Sequence, residues 1–439
     1  MIRKTKKYIL AIALLATSWS SVKAQGTINS PYSKFGVGNL QGTYLPQNTS
    51  MGNLAYGIST TGVYNNINIA NPASYSQIRL TAFDVGIGGN IQTLQRDNLS
   101  ENSFNANLSH LAIAIPVSKK SALSFGILPY SVLGYSFRQS VDVGQETTSG
   151  DAIIADHVYK GEGGLSRAYI GYGFGVGKNF NFGFNASYLF GNLKETTAIE
   201  YHGRYIGFYN SKKDINNSIG GLVFDLGFQY VAPIGEKSRL TIGYTTGLKS
   251  KLNNNYNTLT SEYVVTSSSD YRTDTVRYVE DNEHKVNLPM NHNFGISFGK
   301  VNKWLIGADF RMADWSDFRL TNAPENLGKT MGFSFGGQIV PNINAVTNYL
   351  ALIDYRLGVN YDKTYVKVNG TDIDKKSIGF GMGFPLVAST NRSAFYKINF
   401  AAEIGQRGVL KPGLVKENFY NFSLGFTIND RWFQKYKYD

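Results

Sequence analysis

Tyr420-Asn421-Phe422-Ser423-Leu424-Gly425-Phe426-Thr427-Ile428-Asn429 alternates without a break, large apolar residues at the even positions and small or polar ones at the odd. A period of two puts the first set on one face of a β-strand and the second on the other. Tyr396, Ile398, Phe400, Ala402 and Ile404 repeat the pattern just upstream. Further back come Phe83/Val85/Ile87, Leu111/Ile113/Ile115, Ala168–Val176, Phe182–Phe190, Leu222–Tyr230, Leu240–Tyr244, Phe294–Phe298 and Trp304–Phe310. Met331–Phe335, Ile353–Val359, Ile378–Phe384 and a strand near Ser124–Phe137 complete about fourteen segments, each long enough to cross lipid when tilted. The chain carries 29 Tyr, 27 Phe and 47 Gly against 11 Pro, a balance suited to strands with aromatics on one face and small groups on the other.

The links between these segments alternate in length. Ser118–Lys120, Lys178–Asn181, Pro233–Ser238, Gly299–Lys303, Pro341–Asn348 and Ala388–Arg392 are short. Arg96–Ser103, Gln139–Gly163, Tyr201–Asp214, Lys251–Leu288, Asp314–Lys329, Thr364–Lys375 and Gln406–Val415 read as longer polar loops. Short periplasmic turns and long extracellular loops are the rhythm of an outer-membrane barrel. The expected fold is all-β: a transmembrane antiparallel β-barrel of about fourteen strands over residues 80–431, both chain ends periplasmic and 432–439 a periplasmic tail.

The start of the chain reads as a signal peptide, residues 1–24. Arg3, Lys4, Lys6 and Lys7 precede an apolar run, Tyr8–Ala16, too short to span a bilayer, and Val22-Lys23-Ala24 offers a cleavage site before Gln25. Losing those four residues and Lys23 takes the formal charge from +12 to +7. The remaining basic residues are scattered, so no nucleic-acid stripe is expected. Without cysteine there is no lipid attachment to an N-terminal thiol, no disulfide and no thiolate metal site.

Residues 25–79 are rich in Gly, Asn and Ser and lack the period of two. They are expected to form a plug, or hatch, inside the lumen. Gly171, Gly173, Gly175, Gly177, Gly379, Gly381 and Gly383 fall on the inward face, where bare backbone admits a second segment at close range. The same face carries Asp84, Arg167, Asp225, Asp309, Arg311, Asp354, Arg356, Lys397 and Glu403. Such charges belong in the interior, paired with one another or lining a wet path. Leu54, Tyr56, Val63, Tyr64, Ile67 and Ile69 in the plug are candidates for an apolar route, and equally for packing of the plug itself.

Nothing points to an enzyme, a metal or a cofactor. Ser109 and His110 are adjacent, and neighbours in a regular strand face opposite sides, so no dyad is expected. Acidic residues between Asp270 and Lys285 are interleaved with Arg272 and Arg277 and lack calcium-loop spacing.

Ser30-Pro31-Tyr32-Ser33-Lys34-Phe35-Gly36-Val37-Gly38, Met51-Gly52-Asn53-Leu54-Ala55 and Asn71-Pro72-Ala73-Ser74, with the ending Leu424–Phe433, resemble FadL-like outer-membrane proteins of the Bacteroidota. The Asn71-Pro72-Ala73 element before the first strand is the most telling. The resemblance implies a fourteen-stranded barrel with an N-terminal hatch. Members carry fatty acids or aromatic hydrocarbons; others are accessory subunits of outer-membrane secretion or assembly machines. Two functions follow as expectations: gated passage of small hydrophobic molecules, or a non-transporting docking subunit. Expected partners are outer-membrane lipids and lipopolysaccharide, a small hydrophobic ligand, and other proteins of an outer-membrane complex.

Overall fold

A computed structural model describes residues 30–59, 66–145, 152–201, 209–265, 270–321, 325–386 and 394–430. The signal-peptide reading, Val63, Tyr64 and the tail 432–439 lie outside them.

One antiparallel sheet closes on itself. Its strands are β1 (Asn39–Leu40), β2 (Thr81–Arg96), β3 (Leu99–Ser118), β4 (Ser121–Gln145), β5 (Ala152–Val176), β6 (Phe180–Tyr201), β7 (Asn210–Ile234), β8 (Ser238–Gly247) and β9 (Ser250–Val265). β10 (Asp270–Leu288), β11 (Asn291–Lys300), β12 (Trp304–Asp314), β13 (Lys329–Ile339), β14 (Asp354–Val368), β15 (Thr371–Leu386), β16 (Phe395–Arg407) and β17 (Lys416–Asp430) follow. β8 with β9, and β10 with β11, are single staves interrupted at the same height, so the barrel has fourteen. β17 pairs with β2 from Lys416↔Gln95 to Asp430↔Thr81 and seals the circle.

The apolar side chains of the alternating pattern face outward: Phe184, Leu226, Ile296, Phe335, Leu357 and Phe426 are all exposed. A continuous belt of such residues is far larger than the patches water-soluble proteins tolerate, and only lipid satisfies it. A closed barrel also leaves no unpaired strand edge within the membrane.

Several stretches expected as loops are strand. β4–β7, β9 and β10 continue well past the lipid belt, through 139–145, 152–163, 192–201, 210–220, 251–265 and 270–288, between 7 and 19 residues each at about 3.3 Å per residue. In the sequence these extensions resemble loops because water lies on their outer side, so Lys and Asp replace the alternating aromatics that mark a strand in lipid. The barrel therefore carries a tall wall on one side of its long-loop end, whereas β12 and β13 stop after 11 residues.

Inside the barrel lies the segment beginning at Ser30. It starts at the long-loop end, where Ser30 N–H donates to the Gly134 carbonyl (2.8 Å) and its hydroxyl to Glu417 (2.6 Å). β1 adds to the edge of β4, Asn39 opposite Val132. The chain then descends through a helical turn, Pro46–Thr49, and a 3-10 turn, Pro72–Gln77, before entering β2. Thr81 and Asp430 share the short-turn end, as an even stave count requires, but Ser30 does not.

Candidate functional site in the lumen

The luminal segment rests on a floor of glycines. A Cβ on Gly173, Gly183 or Gly227 would strike Pro72; on Gly243 or Gly295, Tyr56; on Gly336 or Gly358, Met51. Seven staves thus give up their side chains where the segment touches them. Gly52, at φ +70° beside Asn53 at φ +67°, makes the turn that brings Met51 onto this floor, and a side chain there would meet the Val359 backbone at 2.6 Å.

Buried polar side chains of the wall then hold the segment's backbone. The Asp309 carboxylate accepts N–H from Ala55 (2.6 Å) and Tyr56 (2.9 Å). The Gln229 amide donates to the carbonyls of Tyr56 and Ile58, Asn185 to that of Ile69, and Ser297 to that of Gly57. Within the segment, Asn71 caps the 3-10 turn by accepting from Ala73 N–H (3.1 Å) and donates to the Tyr56 carbonyl (2.8 Å). That explains the Asn-Pro-Ala spelling. Asn71 ties two parts of the segment together, Pro72 starts the turn without wasting an N–H, and Ala73 is small enough for the floor beneath.

The route candidates divide. Leu54 packs with Met51 and Ile58, and Ile67 with Leu45, Tyr75 and wall alanines, all fully buried. Tyr56 and Ile69, also buried, contribute in addition to the lining of a luminal chamber of about 590 Å³. Tyr44, hydrogen-bonded to Tyr56 (3.2 Å), and Thr49 also contribute to its lining. At the long-loop end Tyr32, Val37, Leu133, Trp315, Phe318 and Tyr365 form an apolar core, Trp315 stacked on Tyr365 at 4.7 Å. Burial raises the pKa of Glu325, whose carboxyl accepts N–H groups from Gly36 and Leu320 in this region.

All nine inward charges have partners. Arg167 binds Asp225 and Ser187; Arg311 binds Ser334, Asn360 and Asp362; Glu403 accepts from Lys375, Ser377 and Asn421. Asp354 takes both Arg356 (2.5 Å) and Lys397. From there a chain of hydrogen bonds runs round the wall. Arg356 reaches Asn399 (2.9 Å) past the bare Gly383, Asn399 reaches Thr427 (3.1 Å), and Thr427 donates to Asp84 (2.8 Å).

Asp84 leads to a group that the strand pattern concealed. Its other oxygen meets His110 Nε2 at 2.8 Å, and His110 Nδ1 meets Ser109 Oγ at 2.8 Å. The expectation that Ser109 and His110 face opposite sides is wrong. β3 bulges against β2, with Gly86 opposite His110 and Ile87 opposite Leu108, so Ser109 is the extra residue and both side chains turn inward. No spacing rule reveals such a bulge; Gly86, which leaves room for both side chains, is the faint signal.

A closed antiparallel barrel of fourteen staves is the fold of FadL-type outer-membrane channels. The solved structure of a FadL homologue from Pseudomonas aeruginosa matches with a TM-score of 0.59 at 12% identity, over 90% of this chain and 99% of that one. The toluene transporter TodX of Pseudomonas putida gives 0.56 at 13%, over 90% and 100%. The monoaromatic hydrocarbon channel CymD gives 0.54 at 14%, over 91% and 100%. At this identity the likeness is one of fold, and it supports an outer-membrane location. No curated protein matches the chain in sequence. The sequence profile of the BamG family matches residues 1–439, and the chain belongs to that family.

Proposed function

We propose that the protein is a closed outer-membrane barrel that serves as a docking subunit of a larger outer-membrane complex, its luminal segment a permanent stopper and not a gate. The observation that carries this reading is how the segment is held. It lies on glycines from seven staves and is hydrogen-bonded through its backbone to buried side chains of β6, β7, β11 and β12. A gate must release at a modest free-energy difference between two states; this contact has many buried hydrogen bonds to break at once. The charged wall beneath it is a poor surface for a hydrocarbon, since an apolar solute would strip charges of their partners. The tall wall of β4–β10, standing clear of the lipid belt, offers area for protein contact. Membership in the BamG family fits a role distinct from that of the hydrocarbon channels, which share the fold at 12–14% identity.

A second reading, passage of small hydrophobic molecules, draws on one feature. The interruptions at Leu248–Lys249 and Pro289–Met290 lie side by side in adjacent staves, and Leu248, Leu288 and Pro289 line the chamber. Pro289 supplies no N–H to the ladder, so the wall is weakest there. Uptake of radiolabelled toluene and oleate by cells with and without the protein separates the two. The docking reading expects equal rates; uptake that depends on the protein and is lost when Leu248 is changed to Trp would replace it with the second.

A further inference from the structure

We propose that Ser109, His110 and Asp84 form a nucleophilic relay facing the luminal chamber, able to accept an acyl group from a small carboxylic ester. The parts stand in order. The Asp84 carboxylate, fully buried, accepts hydrogen bonds from Thr427 and His110 and cannot donate one when ionised. His110 Nε2 therefore carries the ring proton, and Nδ1 is left as the acceptor facing the Ser109 hydroxyl at 2.8 Å. Nucleophile, base and orienting acid are the three roles an acyl-transfer serine needs, and they are recognised by geometry and not by order in the chain.

Access completes the arrangement. His110 and Asp84 are buried, whereas Ser109 is half-buried and lines the chamber. Asn107 stands beside it. Both side chains occupy the space over Gly88, 3.2 Å (Asn107 Oδ1) and 3.8 Å (Ser109 Cβ) from where a Cβ would lie. The Asn107 side chain thus shares the luminal face with Ser109 and lines the same chamber. A chamber of about 590 Å³ admits a small ester and not a folded chain. Bracing of the barrel alone explains Asp84 and His110, but it gives no reason for a bulge that turns the serine inward onto the ring.

The step balances simply. Ser109 Oγ bonds to the ester carbonyl carbon as its proton passes to His110 Nδ1. The carbonyl is restored as the alkoxy group leaves with that proton. Water, deprotonated by the same nitrogen, releases the carboxylic acid and regenerates the serine. This inference stands apart from the docking role and from any transport.

A fluorophosphonate tests it on the full-length barrel in detergent: the serine oxygen displaces fluoride at phosphorus, and the adduct stays for mass spectrometry. The relay predicts one adduct, on the peptide holding Ser109, absent in Ser109→Ala and slowed at least tenfold in Asp84→Asn. His110→Ala should label slowly and recover when imidazole is added, a rescue that bracing does not produce. Heat-modifiable migration on gels verifies that each variant is folded. No adduct on the folded wild type, labelling elsewhere that survives Ser109→Ala, or no imidazole rescue overturns the proposal.

Discussion

Replacing Asp309 by Ala should free the centre of the luminal segment and leave the barrel standing. Asp309, 3% exposed on β12, accepts the N–H groups of Ala55 and Tyr56 at 2.6 and 2.9 Å. Its removal leaves two buried donors without partners, at about 1–3 kcal/mol each and so about 2–6 kcal/mol together. At about 1.4 kcal/mol per factor of ten, the equilibrium between docked and released segment shifts by about 30-fold to 10⁴-fold. Hydrogen–deuterium exchange reads this directly, because amides that exchange through local opening speed up in proportion to the opening equilibrium. Peptides from Thr49 to Ile58 should exchange faster by that factor, with β12 and β13 unchanged. Asp309→Asn, which keeps an acceptor but loses the charge, should show a smaller effect, about 1 kcal/mol. If Asp309→Ala leaves exchange of 49–58 unaltered, the carboxylate does not anchor the segment. If strand amides exchange faster to the same extent, segment and barrel open as one and the reasoning fails.

Three other outcomes are expected. Gly358→Val and Gly183→Val place atoms inside the backbones of Met51 and Pro72 and should loosen the segment by about 1–3 kcal/mol or more in the same exchange measurement. Gly89→Ala, whose Cβ would meet nothing nearer than 3.7 Å, should not. Phe335→Arg, on the lipid face, should cost about 2–4 kcal/mol if near the bilayer midplane, measured by denaturant-titrated folding into vesicles. Tyr271→Arg, on the wall beyond the lipid, should change stability by less than about 0.5 kcal/mol. Finally, burial raises the Glu325 pKa above that of the unfolded chain, so the folded state holds its proton more tightly. Stability at this contact is greatest below the unfolded carboxyl pKa of about 4.3, falls as pH rises to the raised value and is flat above it. Amide exchange at Gly36 should follow that curve in the wild type and lose this dependence in Glu325→Gln.

How far the sequence can be read depends on what each residue faces. Strands bounded by lipid and lumen must alternate, so Phe182–Phe190 and Tyr420–Ile428 declare themselves. The same strands above the membrane have water outside, need no apolar face there, and Lys251–Leu288 consequently looks like a loop. Inward charges were legible because a charge cannot face lipid; their partners were not, since Arg356 finds Asn399 two staves away across a glycine. Asn71-Pro72-Ala73 was recognisable as a motif, but its work, capping a turn and tying the Tyr56 backbone, required the fold. The Ser109–His110 pair escapes the alternation rule because that rule holds only while the ladder keeps register, and a bulge breaks it. The path of the Ser30–Leu40 segment up to the long-loop end was likewise invisible, being set by pairing with Gly134 and Val132 a hundred residues away.

The measurement closest to the central claim is the mass of the tagged protein extracted from its own membranes in mild detergent. A closed docking subunit predicts a stable assembly with other proteins in fixed stoichiometry, retained when the luminal segment is cross-linked to the wall. A lone barrel, with a small hydrophobic molecule in its chamber and no protein partner, would contradict it.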